Sequence, residues 1–156
     1  MNAFERLKEI LQALNEENVD YALFGGQAVN LHGILRFTED IDLFVSPTPE
    51  NVHRLRQALC RIWRDPAIDE IRVEDLAGEY AVVRYGTPDG FYIDLVSRLG
   101  EAFRFEDIET QDLALGETRA RVATPGMLYR MKSQTVRPID RADALDLKAK
   151  FHLEDE

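Results

Sequence analysis

Apolar residues recur at helical spacing at the start of the chain, where Phe4, Leu7, Ile10, Leu11 and Leu14 line one side of a predicted helix over 2–17. Asn2 and Glu5 stand three apart, the spacing of a capping box, so this helix has a start signal as well as a stripe to bury. A polar break over 15–20 follows. Tyr21 to Phe24 then reads as a short apolar strand, broken by Gly25-Gly26 into a brief helical segment that stops near Gly33. A polar connector leads to a second strand that runs to Val45. Alternate strand residues share a face, so Ile41, Leu43 and Val45 point to the core while Asp40 and Asp42 point the other way.

Ser46-Pro47 stops that strand, and Thr48-Pro49 starts a helix as N-cap and first helical residue, with Val52, Leu55, Leu59 and Ile62 as its buried stripe. Cys60 and Trp63 fall beside the stripe and are expected to be core or partly buried. The stretch 65–78 fits a short helix or a loop. Tyr80 to Tyr85 and Phe91 to Val96 are predicted strands joined by a turn-rich connector over 86–90, a hairpin signature. The second of them puts Phe91, Ile93 and Leu95 on one face and Asp94 on the other. A more polar hairpin follows over 113–122. Thr124-Pro125 opens a helix with Met127, Leu128 and Met131 inward, and a last helix from about Asp140 turns Ala144, Leu147 and Phe151 inward before an acidic tail. No repeat or linker divides the chain, so one domain over 1–156 is expected.

A net charge of −10 argues against broad binding to a nucleic-acid backbone, which needs clustered Lys and Arg. The nearest thing to a basic face is Arg119, Arg121, Arg130, Lys132, Arg137 and Arg141 in the C-terminal third, enough for a single RNA end but not for long contacts. The lone Cys60 has no partner for an intramolecular disulfide, and no leader-like segment opens the chain, so a cytoplasmic location is expected. No apolar run approaches the roughly 20 residues that span a bilayer, so no membrane role is expected.

An acid-x-acid pair is common by chance in a chain with 29 acidic residues among 156, and most such pairs are solvated. Context sharpens Asp40 and Asp42. They lie at an apolar strand beside a glycine turn, whose following helix opens with backbone N–H groups that suit phosphate oxygens. At about 7 Å between Cα atoms, two such carboxylates can converge on one cation or a cation pair. Asp94 repeats the pattern, and if its strand lies beside the first acidic strand, at about 4.8 Å, three carboxylates ring one site. Hard oxygen donors suit Mg²⁺. His32, His53 and His152 are scattered and offer no zinc set.

The Gly-Gly turn into a helix, the Asp-x-Asp strand and the later strand-borne Asp together resemble the nucleotidyltransferase superfamily related to DNA polymerase beta. The form is similar to the minimal enzymes of bacterial toxin–antitoxin and abortive-infection systems. The likeness continues from Val122 through Lys132, Arg137 and Asp140 to Leu147, and so covers nearly the whole chain. It implies an α+β nucleotidyltransferase fold, a mixed β-sheet with helices mainly on one face. It also implies that Asp40 and Asp42 bind two Mg²⁺ ions, with Mn²⁺ as a substitute, and that Asp94 completes the metal site and helps activate an acceptor hydroxyl. Gly25 and Gly26 would cradle the triphosphate of an NTP. Gln27 departs from the pattern, which has Ser or Thr after the glycines, although an amide can also donate to phosphate at longer reach. Arg36, Thr38 and Lys132 are the remaining candidate nucleotide contacts.

The implied reaction moves an NMP from an NTP to a hydroxyl on a macromolecular acceptor, a protein or an RNA end, beside a cognate toxin or antitoxin protein. Two other classes stand next to it: a non-catalytic interaction subunit that keeps the fold, and a metal-dependent phosphodiesterase. An intact acid triad speaks against the first, and a glycine turn shaped for a triphosphate against the second.

Overall fold

The computed structural model describes residues 1–34, 38–78, 81–99, 103–133 and 138–153. Helix α1, Ala3–Glu16, begins at the predicted capping box: Asn2 Oδ1 accepts the Glu5 N–H at 2.8 Å, and the Glu5 carboxylate accepts the Asn2 N–H at 3.1 Å. Its buried stripe keeps Leu7, Ile10, Leu11 and Leu14 of the expected one, loses Phe4 and gains Ala3 and Ala13. Ala3 completes the i, i+4, i+7, i+11 row with Leu7, Ile10 and Leu14, which turns Phe4 out to solvent at 59% exposure.

Strand β1, Tyr21–Phe24, passes directly into α2, Gly25–Leu31, and strand β2 covers Ile41–Val45. Asp40 therefore sits at the mouth of β2, one residue outside it. Helix α3, Pro49–Cys60, is capped by Thr48, whose Oγ1 accepts the Asn51 N–H at 3.1 Å. The helix ends at Cys60, so Ile62 lies past it and is only half-buried, and Cys60, expected to be core or partly buried, is exposed. Trp63 is buried as expected, with the rings of Tyr85 and Phe91 edge-on at 6.1 and 6.0 Å. Two short 3-10 turns, Pro66–Glu70 and Val73–Leu76, fill the stretch that pattern left open.

Strands β3, Val82–Gly86, and β4, Tyr92–Val96, form the expected hairpin; the predicted start at Tyr80 lies outside the described residues. A separate two-stranded ribbon of β5, Arg98–Leu99, and β6, Phe103–Arg104, carries no signal in the pattern. Strands β7, Thr110–Leu115, and β8, Thr118–Ala123, make the second hairpin, followed by α4, Pro125–Ser133, and α5, Pro138–Phe151. The last helix thus starts two residues earlier than expected, with Pro at its first position, and the acidic tail beyond 153 lies outside the described residues.

The main sheet runs β3-β4-β2-β1-β8-β7. Its β2–β4 and β1–β8 pairs are parallel and the rest antiparallel, so the sheet is mixed and the fold α+β. Burial on β2 is two-sided beyond Asp42. Phe44 shares the side of Asp42 by alternation, yet it is fully buried with its ring 5.1 Å from that of Phe24. The acid-bearing face is therefore open only near the start of the strand. Among the described residues, no helix is long and apolar enough to cross a membrane.

Candidate active site

The central feature is a row of side chains across four neighbouring strands. Registered pairs share a face of the sheet, and the pairs Arg84↔Asp94, Asp94↔Asp42 and Asp42↔Phe24 set Arg84, Asp94, Asp42 and Phe24 side by side on β3, β4, β2 and β1. The adjacency that periodicity alone left open is thus present. Asp40 joins from the mouth of β2. Arg84 holds two of the acids, with Nη2 2.9 Å from Asp40 Oδ2 and Nε 3.2 Å from Asp94 Oδ1.

Burial dominates the titration of Asp94 and raises its pKa; the Arg84 charge opposes this, Asp40 adds to it, and a hydrogen bond with Asp42 lowers it again. Asp94 Oδ1 is buried and lacks a well-directed hydrogen bond, although the Arg84 charge lies beside it. Such a carboxylate is poised for a cation or a proton. Among the described residues, no three ligating side chains close on a common point. The donor chemistry nevertheless fits a hard divalent cation: all three groups are carboxylates, two lie side by side in register, and one oxygen has a neighbouring charge but no hydrogen bond.

Gly25 explains why a glycine is needed where strand meets helix. Its φ is +70°, and a Cβ there would overlap Asp42 Oδ2 and lie 2.8 Å from Asp42 Cγ. Any side chain would push the carboxylate out of the row. Gly26 is buried beside it. Gln27 is fully buried, and neither atom of its amide has a hydrogen-bond partner among the described residues. Leaving a buried amide unpaired costs about 1–3 kcal/mol. Gln27→Met, of similar length and fully apolar, is therefore expected to raise the unfolding free energy by about 1–2 kcal/mol. Urea denaturation checks this, and a loss of stability would show that the amide is bonded inside the folded protein.

Thr38 Oγ1 donates to the Asp40 carbonyl at 3.5 Å, which places it on the connector entering the site. Arg36 lies outside the described residues. Lys132 is drawn elsewhere: its ammonium is 3.0 Å from an Asp143 carboxylate oxygen between α4 and α5, with both side chains buried. A groove of about 980 Å³ opens beside Asp40, lined by Phe4, Leu31, Phe91 and Tyr92 together with the acids Glu39 and Asp89. Among the described residues that line it there is no Lys, Arg or His. Two residues that sequence reasoning passed over, Arg84 and Tyr92, belong to this end of the sheet. The signal for Arg84 was a lone cation inside an otherwise apolar strand.

The C-terminal basic residues do not form one free face. Arg119 and Arg121 share a separate cavity of about 510 Å³ with Asp20, Asp112 and Glu117, and Arg130 lies 3.4 Å from Glu109. Arg137 lies outside the described residues.

Comparison with known proteins agrees with this geometry. A candidate nucleotidyltransferase from Thermotoga maritima superposes with a TM-score of 0.62 at 12% identity, covering 97% of this chain and 95% of that one. The lincosamide antibiotic adenylyltransferase LnuA, solved with lincomycin bound, gives 0.61 at 16% identity over 96% and 99% of the two chains. ANT(2'')-Ia in complex with adenylyl-2''-tobramycin gives 0.51 at 18% identity over 94% and 87%. At these identities the likeness shows a shared fold. No curated protein matches in sequence. The family profile described as nucleotidyl transferase AbiEii toxin, type IV toxin–antitoxin system, matches residues 9–110, a span that holds Gly25, Asp40, Asp42 and Asp94, and the chain belongs to that nucleotidyltransferase family.

Proposed function

We propose that the protein is a metal-dependent nucleotidyltransferase that moves an NMP from an NTP to a hydroxyl on a macromolecule, a protein or an RNA end, within a toxin–antitoxin pair. The observation that carries this is the in-register pairing of Asp42 with Asp94 on adjacent parallel strands, with Asp40 at the strand mouth and Gly25 packed against Asp42. Asp40, Asp42 and Asp94 would hold Mg²⁺, which when bound supplies charge stabilisation at the attacking and leaving oxygens of an in-line displacement at the α-phosphorus. In that displacement the acceptor oxygen forms a bond to phosphorus, the bond to the β-phosphate bridge breaks, and pyrophosphate leaves. Asp94, its pKa raised chiefly by burial, is the carboxylate best matched to receive the acceptor's proton. Gly25-Gly26 would serve the triphosphate indirectly, since the missing side chain at Gly25 lets the Asp42 carboxylate keep its place in the row. Cytoplasmic action belongs to the same proposal, since the single exposed Cys60 can make no intramolecular disulfide.

The groove beside Asp40 favours a protein hydroxyl over an RNA end, because among its described lining residues a polyanion would meet acids and no cation. A second reading, a small-molecule hydroxyl, has one observation in its favour. LnuA, with lincomycin bound, is covered over 99% of its length by this chain, so a larger enclosing domain is no precondition for such a ligand. Incubation with each α-labelled NTP, Mg²⁺ and a cell lysate separates these outcomes. Protease-sensitive label supports the protein acceptor, ribonuclease-sensitive label the RNA end, and label in small molecules the second reading; no transfer from any NTP rejects the enzyme.

Binding should also appear as stability. Three neighbouring carboxylates repel one another, so a cation and its nucleotide should bind the folded state preferentially. At 100 times the dissociation constant, Mg²⁺–NTP should add about 2.7 kcal/mol, or roughly 5–11 °C in Tm for a domain of this size. Differential scanning fluorimetry with the four NTPs measures it, and the absence of any shift would count against the site.

A further inference from the structure

We propose that Arg84 is the resident cation of the acid row and competes with divalent metal for it, so that metal loading depends on nucleotide. The inference rests on the metal-dependent transfer proposed above and adds a role for a residue outside the acid triad. Arg84 stands directly across from Asp94 in the β3–β4 pairing. Its guanidinium spans oxygens from two different segments, 2.9 Å from Asp40 Oδ2 and 3.2 Å from Asp94 Oδ1. Its carbon lies 4.1 Å from the centre of the Tyr92 ring, so the group is held from below as well as at its two ends.

A guanidinium is charged at every working pH and presents its donors as a fork, which suits it to bridge two carboxylates. It therefore engages the same oxygens a divalent cation would need, and the two cannot hold both acids together. The side chain is 55% exposed on the outermost strand, so swinging away costs it only the two ion pairs and the stacking on Tyr92. A triphosphate offers the released guanidinium an anion of its own. With nucleotide present the competition is relieved, and without it the acids stay paired with Arg84.

The test is Mn²⁺ binding to the nucleotide-free protein, measured by isothermal titration calorimetry, for wild type, Arg84→Gln and Arg84→Lys. Both ion pairs are partly exposed and therefore modest, so Arg84→Gln should bind Mn²⁺ about tenfold more tightly than wild type. Arg84→Lys keeps the charge but loses the fork and should fall between the two. A non-hydrolysable NTP analogue should shrink the gap between wild type and Arg84→Gln to about threefold or less. Arg54→Gln, which removes a surface cation paired with Glu50, serves as a control and should leave the affinity within about twofold. Equal or weaker Mn²⁺ binding by Arg84→Gln overturns the role of Arg84 and leaves the metal site standing. No Mn²⁺ binding by any of the proteins, with or without the analogue, overturns the metal site itself and this role with it.

Discussion

Asp42→Asn is expected to lower nucleotidyl transfer about a thousandfold while the protein stays folded. The amide is nearly isosteric with the carboxylate, so the contact with Gly25 keeps its shape, but the charge of a proposed metal ligand is lost at the centre of the row. Metal ligation of this kind supplies several kcal/mol of transition-state stabilisation, and each 1.36 kcal/mol is a factor of ten. Stability should move the other way in the metal-free protein. The pKa of Asp94 is raised, first by burial and further by the charge on Asp40. An acid with a raised folded-state pKa favours folding below its unfolded value, near 4, and loses that contribution as pH rises through the folded value. At pH 7 the buried charge on Asp94 therefore works against folding; Asp42 holds the Asp94 pKa down through a hydrogen bond that an amide can still donate, so Asp42→Asn takes one charge out of the cluster and keeps that bond. In EDTA at pH 7, Asp42→Asn should be at least as stable as wild type in urea, with an advantage that shrinks as the pH approaches about 4. An unfolded variant would make Asp42 a structural residue and end the site assignment.

The acids were legible in sequence because strand alternation and an apolar frame are local properties. Asp42 and Asp94 each sit between inward residues, and Gly25-Gly26 marks the turn beside them. Their pairing was not legible, because β2 and β4 are parallel neighbours joined by a long crossover, and no local pattern encodes which strand lies next to which. Two-sided burial hid in the same way. Phe44 shares the alternation of Asp42, and only the packing of Phe24, from the end of the neighbouring strand β1, shows that this part of the face is covered. Arg84 was invisible as a partner because its role depends on that same strand order. Gln27 was read as a phosphate donor by analogy of position, and its complete burial depends on packing around α2 that no motif describes.

Lys132→Met is expected to lower the unfolding free energy by about 3–5 kcal/mol, because it breaks a buried ion pair on one side only. Lys132 and Asp143 are 8% and 5% exposed at their side chains, with nitrogen and oxygen 3.0 Å apart in the contact between α4 and α5. Sequence reasoning placed Lys132 among the nucleotide contacts, yet a lysine so enclosed is first of all the counter-charge of Asp143. Removing it leaves a carboxylate in a dry interface, where the loss of Coulomb attraction is no longer offset by hydration. Removing both charges at once takes away both members of this pair. Lys132→Met combined with Asp143→Leu should therefore recover most of the loss, and a double-mutant cycle in urea isolates the coupling between the two positions. The outcome also decides the nucleotide role. If Lys132 serves the nucleotide, the single variant will keep near wild-type stability and raise the KM for NTP. If it serves the fold, activity per folded molecule will be preserved while the folded population falls, and the double variant will regain both.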